Sequence, residues 1–282
     1  MFKLHDLCYT YMSGGPFEKA AVKNVNLTLN SGEFIGLMGH TGSGKSTLIQ
    51  MIAGIVKPTS GTIEIEGCEL YSKDCDMRKM RFKTGLVMQY PEYQLFEETV
   101  FKDIAFGPGN MGLPEEEIKR RVLFAASLVG LPDDILEKSP FELAGVQKRR
   151  VAIAGVLAME PQILILDEPT AGLDPAGRDE ILCKIKDMHQ RLGITVILVS
   201  HSMEDLANLT DKIVVMNEGT LAMHDKTAEI FKHSAELKKM GLSVPQITEV
   251  CETLRMKGLP LSEGIYTVEA AKAELEKILK TQ

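Results

Sequence analysis

The sequence contains no run of about eighteen apolar residues, so no segment of it reads as a helix that crosses a bilayer. It also lacks a C-x-x-C pair. The five cysteines, Cys8, Cys68, Cys75, Cys183 and Cys251, are scattered, which sets aside a zinc site or a disulfide framework and points to reduced thiols. An excess of positive charge is missing: 32 Lys and Arg stand against 39 Asp and Glu, a formal net charge of −7. Surfaces that hold nucleic acid are usually basic, so nucleic acid is not expected as the main partner. The opening "MFKLHDLCYTYM" has no basic region ahead of an apolar core, and no export signal is expected. Repeats and low-complexity stretches are absent as well. What is present is ordinary for a cytoplasmic globular protein: 282 residues, 44% hydrophobic and 25% charged, enough for one large core or two domains. Contact with a membrane would have to be indirect, through a partner.

Along the chain, short β-favouring segments ("HDLCYTY", "AVKNVNLTL") separated by turn signals predict an antiparallel sheet over residues 2–34. "FIGLM" reads as a buried strand and residues 45–56 as a helix that stops before the turn "KPTSG". "TIEIEG" and "TGLVMQ" read as further strands, and the pattern turns helical over about residues 114–140. Then come a helix in "KRRVAIAGVLAMEP", a strand in "QILILD", a helix in "GRDEILCKIKDMHQRLG", a strand in "ITVILVSH" and a hairpin in "DKIVVMNEGTLAMHD". Apolar strands separated by helices imply a parallel sheet covered on both faces. The remainder is short, charged and helical, with a break at Val244 and Pro245.

Two stretches carry chemistry. Gly39, His40, Thr41, Gly42, Ser43, Gly44, Lys45, Ser46 and Thr47 satisfy G-x-x-x-x-G-K-[ST] directly after a strand and at the start of a helix. The glycines let backbone N–H groups close around phosphates, and the helix N-terminus adds partial positive charge. Lys45 would reach the β- and γ-phosphates of ATP and Ser46 would ligate Mg²⁺. In "ILILDEPTAGLDP", Asp167 ends an apolar strand and so reaches the carboxyl edge of the sheet, where it can hold the Mg²⁺ shell. Glu168 follows and can accept a proton from an attacking water.

These motifs, in this order, resemble the ATP-binding cassette (ABC) family over roughly residues 1–230. The resemblance identifies residues 39–47 as Walker A, Gln89 in "VMQYPEYQ" as the Q-loop, and Leu143, Ala144, Gly145, Val146 and Gln147 as the signature. It makes residues 163–167 Walker B with Glu168 catalytic, residues 171–174 the D-loop ending in Asp174, and His201 the switch histidine that reaches the γ-phosphate. Gln89 would contact Mg²⁺ or water and relay nucleotide state to a transmembrane partner. Tyr11 resembles the aromatic that stacks on adenine, with Tyr9 and Phe17 as rivals. Residues 14–50, 89–112 and 151–175, with "VPQITEV" in the tail, resemble more closely the ATPases of energy-coupling factor (ECF) transporters, which import vitamins and metal ions. "GHTGSGKST" and "PFE" look like the second of their two paralogous ATPases.

The resemblance implies a RecA-like α/β P-loop core with an N-terminal antiparallel β-subdomain, a helical subdomain at about 92–160, and a small C-terminal helical extension over 231–282 at a dimer interface. It implies ATP and Mg²⁺ as ligands and a peripheral place on the cytoplasmic side of the cell membrane. The implied partners are a paralogous ATPase, a transmembrane coupling subunit and a substrate-binding membrane subunit.

The signature departs from the family's Leu-Ser-Gly-Gly-Gln at Ala144 and Val146. Cassettes pair head to tail, so each signature would grip the γ-phosphate in the partner's Walker A. Ala144 removes a hydroxyl donor. Val146 is expected to add a branched side chain where close backbone approach is wanted and a positive φ becomes costly. A homodimer would then carry two weakened sites, whereas a heterodimer with an intact partner keeps one good site; retention of Lys45, Asp167, Glu168 and His201 favours the heterodimer. Two other readings stand beside it: a regulatory cassette that binds ATP with little turnover, and a soluble ABC ATPase outside transport.

Overall fold

The computed structural model describes residues 1–281; Gln282, the last residue of the expected extension, lies outside the described residues. Phe2–Tyr11 (β1) and Lys19–Leu29 (β2) pair antiparallel, and β1 pairs again with Ser60–Ile65 (β4), which carries the short Cys68–Glu69 (β5). Their order is β2-β1-β4-β5. Phe2, Leu4, Leu7, Val22, Val25, Leu27, Ile63 and Ile65 are buried together, so one face of this sheet is apolar and packed.

The second sheet has six strands in the order β10-β9-β3-β8-β7-β6. They are Phe34–Met38 (β3), Thr84–Val87 (β6), Ile163–Asp167 (β7), Thr195–Val199 (β8), Lys212–Asn217 (β9) and Thr220–Lys226 (β10). All pairings are parallel except that of β10, which returns on β9. The return is made at Glu218 and Gly219, both at positive φ (48° and 85°), the conformation that two-residue hairpins require. Central strands are apolar on both faces because both faces are covered. Leu164, Leu166, Val196 and Leu198 pack toward the helices; Ile163, Ile165, Ile197 and Val199 pack toward the antiparallel sheet.

The helices include Lys45–Ile52 (α1), Met77–Lys83 (α2), Val100–Asn110 (α3), Glu115–Leu128 (α4), Gly145–Leu157 (α5), Pro175–Leu192 (α6) and Met203–Leu209 (α7). The tail forms Thr227–Lys232 (α8), Ser234–Lys239 (α9), Gln246–Met256 (α10) and Val268–Thr281 (α11). Two local expectations are corrected. Helix α1 ends at Ile52 rather than Val56, because Gly54 takes φ +69° and turns the chain out of the helix. Helical structure after Pro114 stops at Leu128; Gly130 takes φ +71°, and residues 133–142 hold only two short 3₁₀ turns. A helix also forms over residues 100–110 despite Gly107, Pro108 and Gly109. Thr99 caps it through Lys102 N–H, Val100 and Ile104 join the core, and Pro108 is buried.

The expected boundary between residues 230 and 231 falls inside α8. Ile230, Phe231, Leu237, Leu242 and Val244 all belong to the main core, and Phe231 stacks on Tyr266 at 5.8 Å. A separate small core begins at Cys251, with Leu261, Ile265 and Ala271. Among the described residues no helix is long and apolar enough to cross a membrane.

Candidate active site at the carboxyl edge of the parallel sheet

Parallel strands present all their carboxyl ends on one edge, and here four neighbours in the order β3-β8-β7-β6 end together. Leu37 pairs with Val199, Val199 with Asp167, and Leu166 with Val87. The residues that follow each strand therefore converge: the glycine-rich loop after β3, His201 after β8, Asp167 and Glu168 at the end of β7, and Gln89 after β6. They line a cleft of about 480 Å³ with Tyr11, Lys19, Ala21, Thr41, Gly42, Gly44, Ser46 and Thr47.

The loop is held in a shape only glycine permits. Gly44 sits at φ +101°, and a Cβ there would lie 2.4 Å from Ala21 O. The hairpin turn supports the loop from behind, since Gly219 N–H donates to Ser43 O at 3.0 Å. Lys45 is buried, and its ammonium donates to Gly39 O (2.6 Å) and His40 O (3.1 Å). Burial holds that ammonium below the ordinary lysine range, against the pull of Glu168 and Asp167. His40 makes a bond of its own, Nδ1 to Thr41 O at 2.8 Å.

Burial also raises Asp167, although Lys45 pulls it down. Glu168 is pushed up to about 7, first by burial and then by the adjacent Asp167. Its backbone is in the left-handed region at φ 50°, unusual for a residue with a side chain, and is fixed there by Glu168 N–H donating to Val199 O at 3.0 Å. Its Oε1 is buried without a hydrogen-bond partner. His201 Nε2 lies 3.6 Å from that oxygen, too long for a hydrogen bond. Burial and Lys45 hold the His201 imidazole below its usual range, which leaves it neutral at pH 7.

The residues present fit a nucleotide with a divalent cation. Backbone amides and Lys45 supply positive potential for phosphates, and Glu168 Oε1 is a buried acceptor still to be matched. Ser46, Gln89 and Asp167 supply oxygens on the cleft wall. Among the described residues there is no cluster of three His, Cys, Asp or Glu able to hold a metal alone. That is the expected pattern for Mg²⁺, which takes one or two protein oxygens and completes its shell with phosphates and water. Of the three aromatic rivals, Tyr11 lines the cleft, its hydroxyl 3.0 Å from Thr47 Oγ1 and its ring edge-on to Tyr9 at 4.8 Å. Tyr9 packs against the core behind it, and Phe17 is 78% exposed.

The signature is not brought to this cleft. Ala144 takes the N-cap position of α5 and offers no side-chain hydrogen bond; the helix's first bond is Lys148 N–H to Ala144 O at 2.9 Å. The amides of Gly145, Val146 and Gln147 thus open a helix N-terminus away from the chain's own Walker A. Val146 does not take the positive φ whose cost was expected. Val146 is helical and half-buried, and its Cγ2 would lie 2.8 Å from a Cβ on Gly177, so it points inward onto α6. Asp174 caps α6, accepting from Gly177 N–H at 2.9 Å.

Two groups escaped the sequence reading. Arg178 on α6 binds Ser202 Oγ and the buried Asp205, bracing the segment that carries His201. Arg149 is buried against Glu92 and the loop after Glu168. It stands in "QKRR", where nothing in the letters separates the arginine that reaches Glu92 from the likewise buried Arg150, which donates to Gly130 O instead.

Ionising Glu168 is opposed in the folded state, so the unfolded chain loses this proton first. From about pH 4.5 to about 7 the native state binds more protons, and stability falls as pH rises. In nucleotide-free protein Glu168→Gln should therefore be more stable than the parent near pH 8, by about 1–3 kcal/mol, with the difference vanishing near the unfolded value. Urea unfolding at both pH values checks this, and equal stability near pH 8 would count against a raised Glu168.

The family described as ABC transporter matches residues 22–171. The chain is 56% identical over 280 residues to the energy-coupling factor transporter ATP-binding protein EcfA2 of Clostridium acetobutylicum, covering 99% of this chain and 98% of that protein. It is 54% identical over 281 residues to the protein of the same name from Clostridium tetani, covering 99% and 98%. Among solved structures it resembles cbiO1 of Clostridium perfringens, part of the ABC transporter complex cbiONQ, with a TM-score of 0.75 and 40% identity over 89% of this chain and 98% of that one. A dimeric ATP-binding cassette in a post-hydrolysis state with ADP and Pi matches with a TM-score of 0.71 and 31% identity, over 80% of this chain and 99% of that one. With its phosphate loop, acidic strand end and histidine gathered at one sheet edge, the chain belongs to the ABC transporter family and, within it, to the ATP-binding proteins of energy-coupling factor transporters.

Proposed function

We propose that this chain is the ATP-hydrolysing subunit of an ECF-type importer, peripheral on the cytoplasmic side of the cell membrane, which energises uptake of vitamins or metal ions. The observation that carries this reading is the convergence of Lys45, Gln89, Asp167, Glu168 and His201 on one cleft. Residues 39–47 and Lys45 bind the phosphates of ATP, and Tyr11 stacks on the adenine. Glu168 takes the proton of the attacking water at its unmatched oxygen, poised near the pH at which a general base works best. Neutral His201 contacts the γ-phosphate. Mg²⁺, held by Ser46 and Asp167 with Gln89 beside it, supplies neutralisation of phosphate charge.

The cleft lacks a signature, which supports pairing with a paralogous ATPase whose intact signature completes it. The extension would add to that interface through Val250, Met256, Val268 and Leu279, all exposed. A second surface suits a helix of a transmembrane coupling subunit; a separate membrane subunit would choose the solute. Phe96 and Phe106 line a groove of about 270 Å³ bounded by α2, α3 and α5, and Tyr93, beside its Gln94, is 84% exposed. Leu95 lines the same groove while being only 7% exposed and part of the main core. Apolar anchors beside a groove are what helix-in-groove docking uses.

Replacing Glu168 by Gln in the assembled complex should leave ATP binding intact and lower turnover and uptake by about 10²–10⁴-fold. Hydrolysis within a few-fold of the parent would remove Glu168 from this role. Changing Tyr93 and Phe96 together to Ser should weaken assembly and ATP-driven uptake while nucleotide affinity stays put; unchanged uptake would discard the docking surface.

The altered signature acts on the partner's nucleotide, and the inward turn of Val146 leaves Ala144 as its one missing contact. Ala144→Ser, in a complex whose own site is silenced by Lys45→Ala, should raise turnover at the partner's site by at least about tenfold, since one donor to a reacting oxyanion is worth 10²–10³ in rate elsewhere. The same change should do little when the partner's site is the silenced one. An equal gain in both backgrounds, or none in either, would end the asymmetric-site reading.

A further inference from the structure

Arg149 is 1% exposed, and its planar fork is almost fully used. Nε and Nη2 donate to the two oxygens of Glu92, at 3.1 and 2.7 Å. Nη1 donates to Pro169 O at 3.0 Å and to Ala171 O at 2.8 Å. Three segments meet on this one side chain. Helix α5, which begins at the signature, carries it. Glu92 belongs to the 3₁₀ turn Pro91–Gln94, which follows Gln89 and presents Tyr93 outward. Pro169 and Ala171 lie in the loop that leaves Glu168. The turn and the loop also touch directly: a Cβ on Gly172 would lie 3.3 Å from the ring of Tyr90.

A buried ion pair of this kind is seldom the most stabilising filling for its volume, since apolar residues often do as well. What it provides is position. A guanidinium with donors in fixed directions sets the carboxylate and two carbonyls at defined places, which a lysine ammonium cannot do.

We propose that Arg149 is a positioning residue for ATP turnover, fastening the outward turn of Glu92 and Tyr93 to the loop behind Glu168 so that a displacement of one is passed to the other. This rests on the reading of Tyr93 and Phe96 as the docking surface, and it names the element that carries docking inward. Arg149 is not among the residues that line the cleft; it acts through Glu92 and through the backbone at Pro169 and Ala171.

Two variants test it in the complete complex, reconstituted in lipid vesicles. Arg149→Lys keeps the charge opposite Glu92 and loses the fork. The double variant Glu92→Leu with Arg149→Leu removes both charges and leaves the volume apolar. Four quantities are read: unfolding temperature, ATP affinity from a fluorescent nucleotide, turnover, and solute taken up per ATP hydrolysed. The parent is measured first, and absence of ATP-driven uptake there would sink the functional reading rather than this one. With the parent active, both variants should bind ATP within roughly twofold of it. Turnover should fall by about tenfold or more and uptake per ATP should drop, without rescue by lysine. Parent-like turnover and uptake per ATP in either variant would overturn the proposal. So would a joint loss of unfolding temperature, ATP affinity and assembly in both, which would make Arg149 a residue of folding alone.

Discussion

Everything at the site depends on the register of the parallel sheet. Asp167 stands level with Val199, and Val199 with Leu37, so three chain segments, one of them more than a hundred residues from the other two, leave the sheet at one height. Side chains alternate between faces with a period of two, and a slip of one residue would exchange Ile165 and Leu166 between two differently shaped cores. The register is secured because both faces are buried: helices cover one and the antiparallel sheet covers the other. The cleft is thus a consequence of the core, placed where the strands must end.

At that edge the charges are arranged against their own solvation. Lys45, Asp167 and Glu168 are all partly withdrawn from water, and each is held toward its neutral form by burial. A polyphosphate with a divalent cation would supply the missing counter-charges. The left-handed backbone at Glu168 belongs to the same pattern: a conformation disfavoured for a side-chain-bearing residue persists because β8 holds its amide. Local cost at this point is offset by the strands around it, and the side chain is left with an oxygen that nothing in the chain satisfies.

Helix α5 connects the two ends of this machinery. Its N-terminus faces away from the cleft and its first turn leans on α6 through Val146. One turn further on, Arg149 gathers the segment after Gln89 and the segment after Glu168. The departure at Ala144 leaves that scaffold unchanged, because Ala144 caps the helix by backbone conformation alone and removes only a hydroxyl from its outward end. A weakened contact to a partner's nucleotide and an intact internal frame can therefore coexist in one chain.

Much was legible in the letters because it is local. The glycine-rich loop, the apolar strands β3, β7 and β8 and the hairpin at Glu218 and Gly219 each follow from spacing or turn chemistry within a few residues. Asp167 and Glu168 follow from an acidic pair at a strand end and His201 from resemblance, and the cleft brings all three to Walker A. What spacing could not supply is whatever depends on the third dimension. The helix at residues 100–110 forms with Val100 and Ile104 packed into a core made elsewhere, overriding three unfavourable letters. Val146 is branched by type, and its direction, inward onto α6, is set by packing. Leu95 is as apolar as its exposed neighbour Phe96 and is buried, and of the three aromatic rivals only Tyr11 lines the cleft. Arg149 carries the same charge as Lys148 and Arg150 beside it. By itself the sequence determined which groups could do the chemistry, since that is a property of residue type and local spacing. Which groups face solvent, cleft or core was decided by tertiary packing alone, because burial and direction are set by atoms distant in the chain.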